Sequence, residues 1–82
     1  MYKNRGENGA LNLCGGKLRE LRLAAVPHLS QRALADKLQL AGLDLDKNAI
    51  QRIEAGKRFV TDIEMKAFAE LFGVSCDQLI GK

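Results

Sequence analysis

Residues Ser30 to Lys57 read SQRALADKLQLAGLDLDKNAIQRIEAGK. Within this stretch apolar residues recur twice at helical spacing. In the first run Leu34, Ala35 and Leu38 share a face. In the second, Leu45, Ile50 and Ile53 share one and leave Lys47, Asn48, Gln51 and Arg52 pointing elsewhere. Ser30 is placed to cap the first helix, which continues to about Leu40 before the exit offered by Gly42. Asp46 is placed to cap the second, from Lys47 to about Ala55, with Gly56 as its stop. The pattern predicts two short helices around a turn, closed by Ile-Glu-Ala-Gly-Lys.

Upstream, Leu18, Leu21 and Ala25 keep a helical period, and Pro27 ends the run by biasing Val26 away from helix. A first helix is expected from about Gly16 to Ala25. The preceding MYKNRGENGALNLCGG is rich in Gly and Asn and lacks that period. Residues 1–15 are therefore expected as a flexible arm that is either disordered or docked on the core through Leu11, Leu13 and Cys14, ahead of a domain over residues 16–82. Downstream, Thr61-Asp62-Ile63-Glu64 fits a capping box for a helix that turns Met65, Phe68, Ala69 and Phe72 inward and stops at Gly73. Ser75-Cys76-Asp77-Gln78 repeats the box for a short last helix bearing Leu79 and Ile80. No segment alternates like a strand, so an all-α, five-helix domain is expected. Phe59, Met65, Phe68 and Phe72 are expected in its core.

For 82 residues one small domain is expected, without a separate ligand-sensing one. The net charge of +3 is concentrated: Lys47, Arg52, Lys57 and Arg58 stand against Glu54 alone between residues 47 and 58, an excess equal to that of the whole chain. From Phe59 onward the balance is acidic, so the positive potential is expected on one side, which favours a polyanion. Cys14, Cys76 and His28 lack metal-ligand spacing, and no zinc site, disulfide framework or cofactor is expected. Gly15-Gly16-Lys17 is not a phosphate loop, because Leu11 stands where Gly is needed and Leu18 where Ser or Thr is needed. No apolar run approaches the roughly 18 residues of a membrane span and Met1–Gly9 is polar, so a soluble, cytoplasmic protein is expected. Paired carboxylates and nucleophile–base pairs do not converge, which argues against an enzyme.

A helix with one buried side and a polar, basic outer side beside a chain reversal suits the major groove of DNA. The residues that frame it also match a pattern. Leu18-Arg19-Glu20-Leu21-Arg22, Leu29-Ser30-Gln31, Leu34-Ala35, Ile50, Ile53-Glu54, Gly56-Lys57 and Phe72-Gly73-Val74-Ser75 with Leu79 resemble the phage-repressor (Cro and lambda-repressor-like, XRE) helix-turn-helix family, over about Gly16 to Ile80. The resemblance implies a compact five-helix bundle that binds operator double-stranded DNA in a sequence-specific way, commonly as a homodimer on a two-fold symmetric site.

Carried over residue by residue, it makes Lys47, Asn48, Gln51 and Arg52 the groove-facing positions. Their chemistry agrees, since Asn pairs with adenine through two hydrogen bonds, Arg with the O6 and N7 of guanine, and Lys with guanine or phosphate. The resemblance places Gln31 on the phosphate backbone at a helix N-terminus, and Lys57 and Arg58 suit further phosphates. It also pairs Arg22 with Glu54, the only acid in the basic window. Two departures stand out: QLAGLDL is several residues longer than the family's usual turn, and AAVPHLS slightly longer than its usual connection. The longer turn either extends the second helix or forms a loop, and Leu40, Leu43 and Leu45 are expected to pin it to the core. Apolar Leu79 and Ile80 near the C-terminus lead to the expectation of dimerisation there. The function expected from the resemblance is a DNA-binding transcriptional regulator, a repressor of bacterial, phage or mobile-element origin that occupies a promoter and is nucleoid-associated in a bacterial cytoplasm. The alternative is an antitoxin-like module that covers a protein partner and also binds its own promoter.

Overall fold

Four of the five helices begin where the N-cap side chain takes up a backbone donor that the first turn leaves open. A computed structural model describes residues 9–80. In it Ala33 N–H donates to Ser30 Oγ at 3.0 Å, and Ala49 N–H donates to Asp46 Oδ1 at 2.8 Å. Thr61 with Glu64, and Ser75 with Gln78, form reciprocal capping boxes. The elements are α1 (Gly15–Ala24), α2 (Gln31–Leu40), α3 (Lys47–Glu54), α4 (Asp62–Phe72) and α5 (Cys76–Leu79), with no strand among the described residues. The all-α architecture expected from the sequence is the one observed.

One core joins the five helices. Leu18, Leu34, Leu38, Ile50, Ile53, Phe68 and Leu79 are fully buried. Each such side chain contributes on the order of 1.5–3 kcal/mol relative to exposure. α3 packs against both α1 and α2, and α4 against α2 and α5. Leu45 precedes the Asp46 cap and Ile50 lies one turn inside α3. Both are buried, as in a hydrophobic staple that fixes the angle at which the chain enters the helix.

The long turn forms a loop and does not extend α2. Leu43 N–H donates to Leu38 O at 2.9 Å and Gly42 N–H to Gln39 O at 3.0 Å, closing the helix around Gly42 with its φ of +91°. Leu45 is buried and Leu43 half-buried, so these two fasten the loop. Leu40 does not, being 91% exposed. At about 100° per residue, Leu40 lies roughly 200° around the helix from the buried Leu38, which sends it outward.

Two further expectations are corrected. Phe59 is 54% exposed, because in the extended segment between α3 and α4 it is Val60 that packs inward. Leu79 is fully enclosed by the turn that the Ser75 box orients, so it offers no surface to a second copy, and Ile80 is half-buried.

Of the segment expected as an arm, residues 1–8 lie outside the described residues, while Leu11 and Asn12 are hydrogen-bonded to the end of α3, and Leu13, expected to help dock the segment, is 63% exposed. Cys14 is fully buried, and α1 begins directly after it at Gly15.

Candidate nucleic-acid interface

α3 is held from inside and along one edge, which fixes what its other side can present. Ala49, Ile50 and Ile53 point into the core. Near its C-terminus Glu54 is clamped from two helices. Arg22 of α1 donates through Nε to Glu54 Oε2 at 2.7 Å and through Nη2 to Oε1 at 2.9 Å, and Gln31 of α2 donates its amide to Oε1 at 3.1 Å. Arg22 also donates to Leu29 O at 2.9 Å. The Arg22 and Glu54 side chains are only 9% and 4% exposed, and the hydrogen bonds to Glu54 hold the Arg22 guanidinium above its ordinary pKa. This pair ties α1 to α3, and it also occupies the one acid that would otherwise face a polyanion from within the basic window.

The helix ends through Lys57 N–H donating to Arg52 O at 2.8 Å and Gly56 N–H to Ile53 O at 3.0 Å, a closure that needs the left-handed φ of +74° at Gly56. Ala10 sits against this glycine, and Leu11 N–H donates to Gly56 O at 2.8 Å. Gly15 meets the same end of α3 from the other side. A Cβ there would overlap Ile53 O, so only glycine lets the start of α1 come this close. Asn12 bridges the junction, donating to Ile53 O at 3.0 Å and Arg58 O at 2.8 Å while accepting from Gly15 N–H at 2.8 Å.

The outer face of α3 carries Lys47, Asn48, Gln51 and Arg52, all exposed. Among the described residues no side-chain hydrogen bond or ion pair engages any of the four. Asn48, Gln51, Arg52 and Lys57 line one shallow depression together with Asp46 and Ala55, whereas Lys47 stands at its flank. Lys57 is exposed beyond the helix stop. The structure thus brings the polar residues of α3 and the following lysine onto one surface.

Two residues assigned to phosphates are differently placed. The Gln31 side chain is turned inward to Glu54. Arg58 forms a forked pair with Glu64, Nη1 to Oε1 at 3.0 Å and Nη2 to Oε2 at 3.2 Å, and donates to Phe59 O at 3.1 Å. Glu64 is buried because it is also the reaching member of the α4 capping box, so a cation is drawn to it. Burial alone would raise the Glu64 pKa, but hydrogen bonds from Arg58 and the Thr61 amide hold it below its ordinary value, and the same contact holds the Arg58 guanidinium above its own. Arg58 therefore fastens the segment between α3 and α4.

Sequence reasoning missed Asn12 and Gly15: their ties to α3 span about forty residues, and the only local signal was the spacing by which Asn12 accepts from Gly15 N–H three residues on. It also read Asp46 only as a cap, although the residue lines the depression. Both cysteines are free thiols. Cys76 is exposed, and burial pushes the Cys14 thiol up to about 11, which makes it unreactive. Among the described residues no group of three His, Cys, Asp or Glu side chains is arranged to hold a metal ion, and no helix is long and apolar enough to cross a membrane.

No curated protein and no solved structure gives a match to the chain. A family model described as a helix-turn-helix domain matches residues 14–79, which takes in all five helices, the Asp46-capped α3 and the Gly56 stop. The chain belongs to this helix-turn-helix domain family, a Cro/XRE-like group of helix-turn-helix domains.

Proposed function

We propose that the protein is a sequence-specific DNA-binding transcriptional regulator, a repressor that lays α3 in the major groove and blocks a promoter by occupying it. The observation that carries this reading is the outer face of α3, where Lys47, Asn48, Gln51 and Arg52 are all exposed while the inner face supplies the core. A long polar side chain with no partner among the described residues is available to a base edge. Asn48 has the donor and acceptor that match adenine, Arg52 the fork that matches guanine, and Lys47 and Gln51 flank them. Ala55 adds a methyl surface of the kind that meets a thymine methyl group.

Lys57, just past the helix stop, is the phosphate contact of this reading. Arg58 is left out of it, and Gln31 acts by steadying Glu54. One helix of this length reads only a few base pairs, so a two-fold symmetric site bound by two copies is part of the proposal. With Leu79 enclosed, that side chain takes no part in the contact between copies.

Selection of bound duplexes from a random library tests the whole reading at once. A short enriched motif, repeated with two-fold symmetry, is the expected result. A bound pool with no sequence in common would refute base reading by α3, and enrichment of a single unrepeated half-site would refute the two-copy arrangement.

A further inference from the structure

We infer that Asn12 is a positioning residue for the exit of α3, the end that carries Arg52 and Lys57, an inference that rests on the DNA-binding reading above. A side-chain amide donates twice and accepts through its oxygen, and Asn12 uses both functions. Nδ2 donates to Ile53 O at 3.0 Å and to Arg58 O at 2.8 Å, while Oδ1 accepts from Gly15 N–H at 2.8 Å. The three partners belong to three separate pieces: the last turn of α3, the segment leading to α4, and the start of α1.

Lys57 lies between the two carbonyls that Asn12 holds, and its own N–H donates to Arg52 O at 2.8 Å. The backbone on both sides of Lys57 is therefore fixed through one side chain. Leu11 N–H on Gly56 O, and the close seat of Gly15 on Ile53, keep Asn12 in register with that turn. A lysine on a loose turn must be ordered when it meets a phosphate, and that ordering lowers affinity. Asn12 removes this loss in advance, so a residue that never touches DNA sets how well Lys57 does.

The test is a double-mutant cycle on the selected duplex, at a temperature where unfolding curves show every variant folded. Asn12→Ala removes these three hydrogen bonds and the longer one that Oδ1 accepts from Cys14 Sγ at 4.0 Å. Asn12→Asp keeps the acceptor for Gly15 N–H and loses both donors, so α1 stays capped while the exit of α3 is released. Each change is expected to lower affinity and to reduce the salt slope by about one unit. Adding Lys57→Ala to either background should then change affinity by no more than about twofold. If Lys57→Ala keeps its full effect in both backgrounds, Lys57 is held without Asn12 and the inference is overturned.

Hydrogen exchange reads the same tie without DNA. In Asn12→Asp the Gly56 and Lys57 amides should exchange on the order of tenfold faster while the buried amides of α2 keep their rates. Unchanged rates at Gly56 and Lys57 would overturn the inference. A wild-type protein that binds no duplex would defeat the proposed function, and the exchange measurement would still decide the role of Asn12.

Discussion

On the inner side of α3, Ile50 and Ile53 are fully buried and Glu54 accepts from both Arg22 and Gln31. On the outer side, among the described residues, no hydrogen bond or ion pair engages the side chains of Asn48, Gln51 or Arg52. The same eight-residue helix thus carries residues that the core and the Glu54 clamp engage and residues that the fold leaves exposed. The contrast teaches where to look for function in so small a domain: at polar side chains that a packed helix presents outward and the fold does not use. The neighbours Lys57 and Arg58 repeat it on a smaller scale. Both are basic, yet Arg58 is bound to Glu64 while Lys57 projects into solvent.

The largest expected effect lies on the inner side. Glu54→Ala leaves the Arg22 guanidinium buried without its carboxylate and should cost about 3–5 kcal/mol of stability by urea denaturation. A loss no larger than that of an ordinary surface substitution would show that the clamp does not hold α3. Next in size is Arg58→Ala, which strips the buried Glu64 of its cation and should cost about 1–3 kcal/mol while leaving the salt dependence of duplex binding unchanged. A reduced salt slope in that variant would return Arg58 to the phosphates.

Arg52→Ala inverts the pattern. Stability should stay within about 0.5 kcal/mol of wild type, whereas binding to the best duplex should weaken by about 1–3 kcal/mol and the preference at one base pair per half-site should relax. Equal losses on selected and random duplexes would show that Arg52 reads no base.

The smallest effect is one of pH. The folded-state pKa of Glu64 lies below its ordinary 4.5, so its contribution is fully present above about that pH and is lost as pH falls through the lower folded value. The urea midpoint of the wild type should therefore drop in this acid range more than that of Glu64→Gln. Parallel curves would mean that the Arg58 pair adds nothing.

The ends of the helices were legible in the sequence because caps act over three or four residues. Ser30, Asp46, Thr61 and Ser75 open helices, and Gly42, Gly56 and Gly73 close them, as local chemistry requires. The buried faces of α2 and α3 followed from period alone. Single apolar residues were less informative. Phe59 and Leu40 face solvent because a neighbour, Val60 or Leu38, holds the inward position, and hydrophobicity does not say which of two neighbours wins.

Charges raised a similar difficulty. That Arg58 belongs to Glu64 depends on Glu64 being buried by its own capping box, which no count of basic residues reveals. The Asn12 bridge and the seat of Gly15 on Ile53 join residues about forty positions apart, and only the folded chain brings them together.

The central proposal is that the outer face of α3 reads DNA while Lys57 meets the phosphate backbone. It is tested most directly by titrating the wild-type protein with a selected duplex and with a scrambled duplex of equal length at several salt concentrations. Affinity for both should fall with salt, by about one unit of slope per phosphate contact, with the selected duplex bound more tightly throughout. An affinity that does not change with salt, or one that is equal for the two duplexes, would contradict the claim.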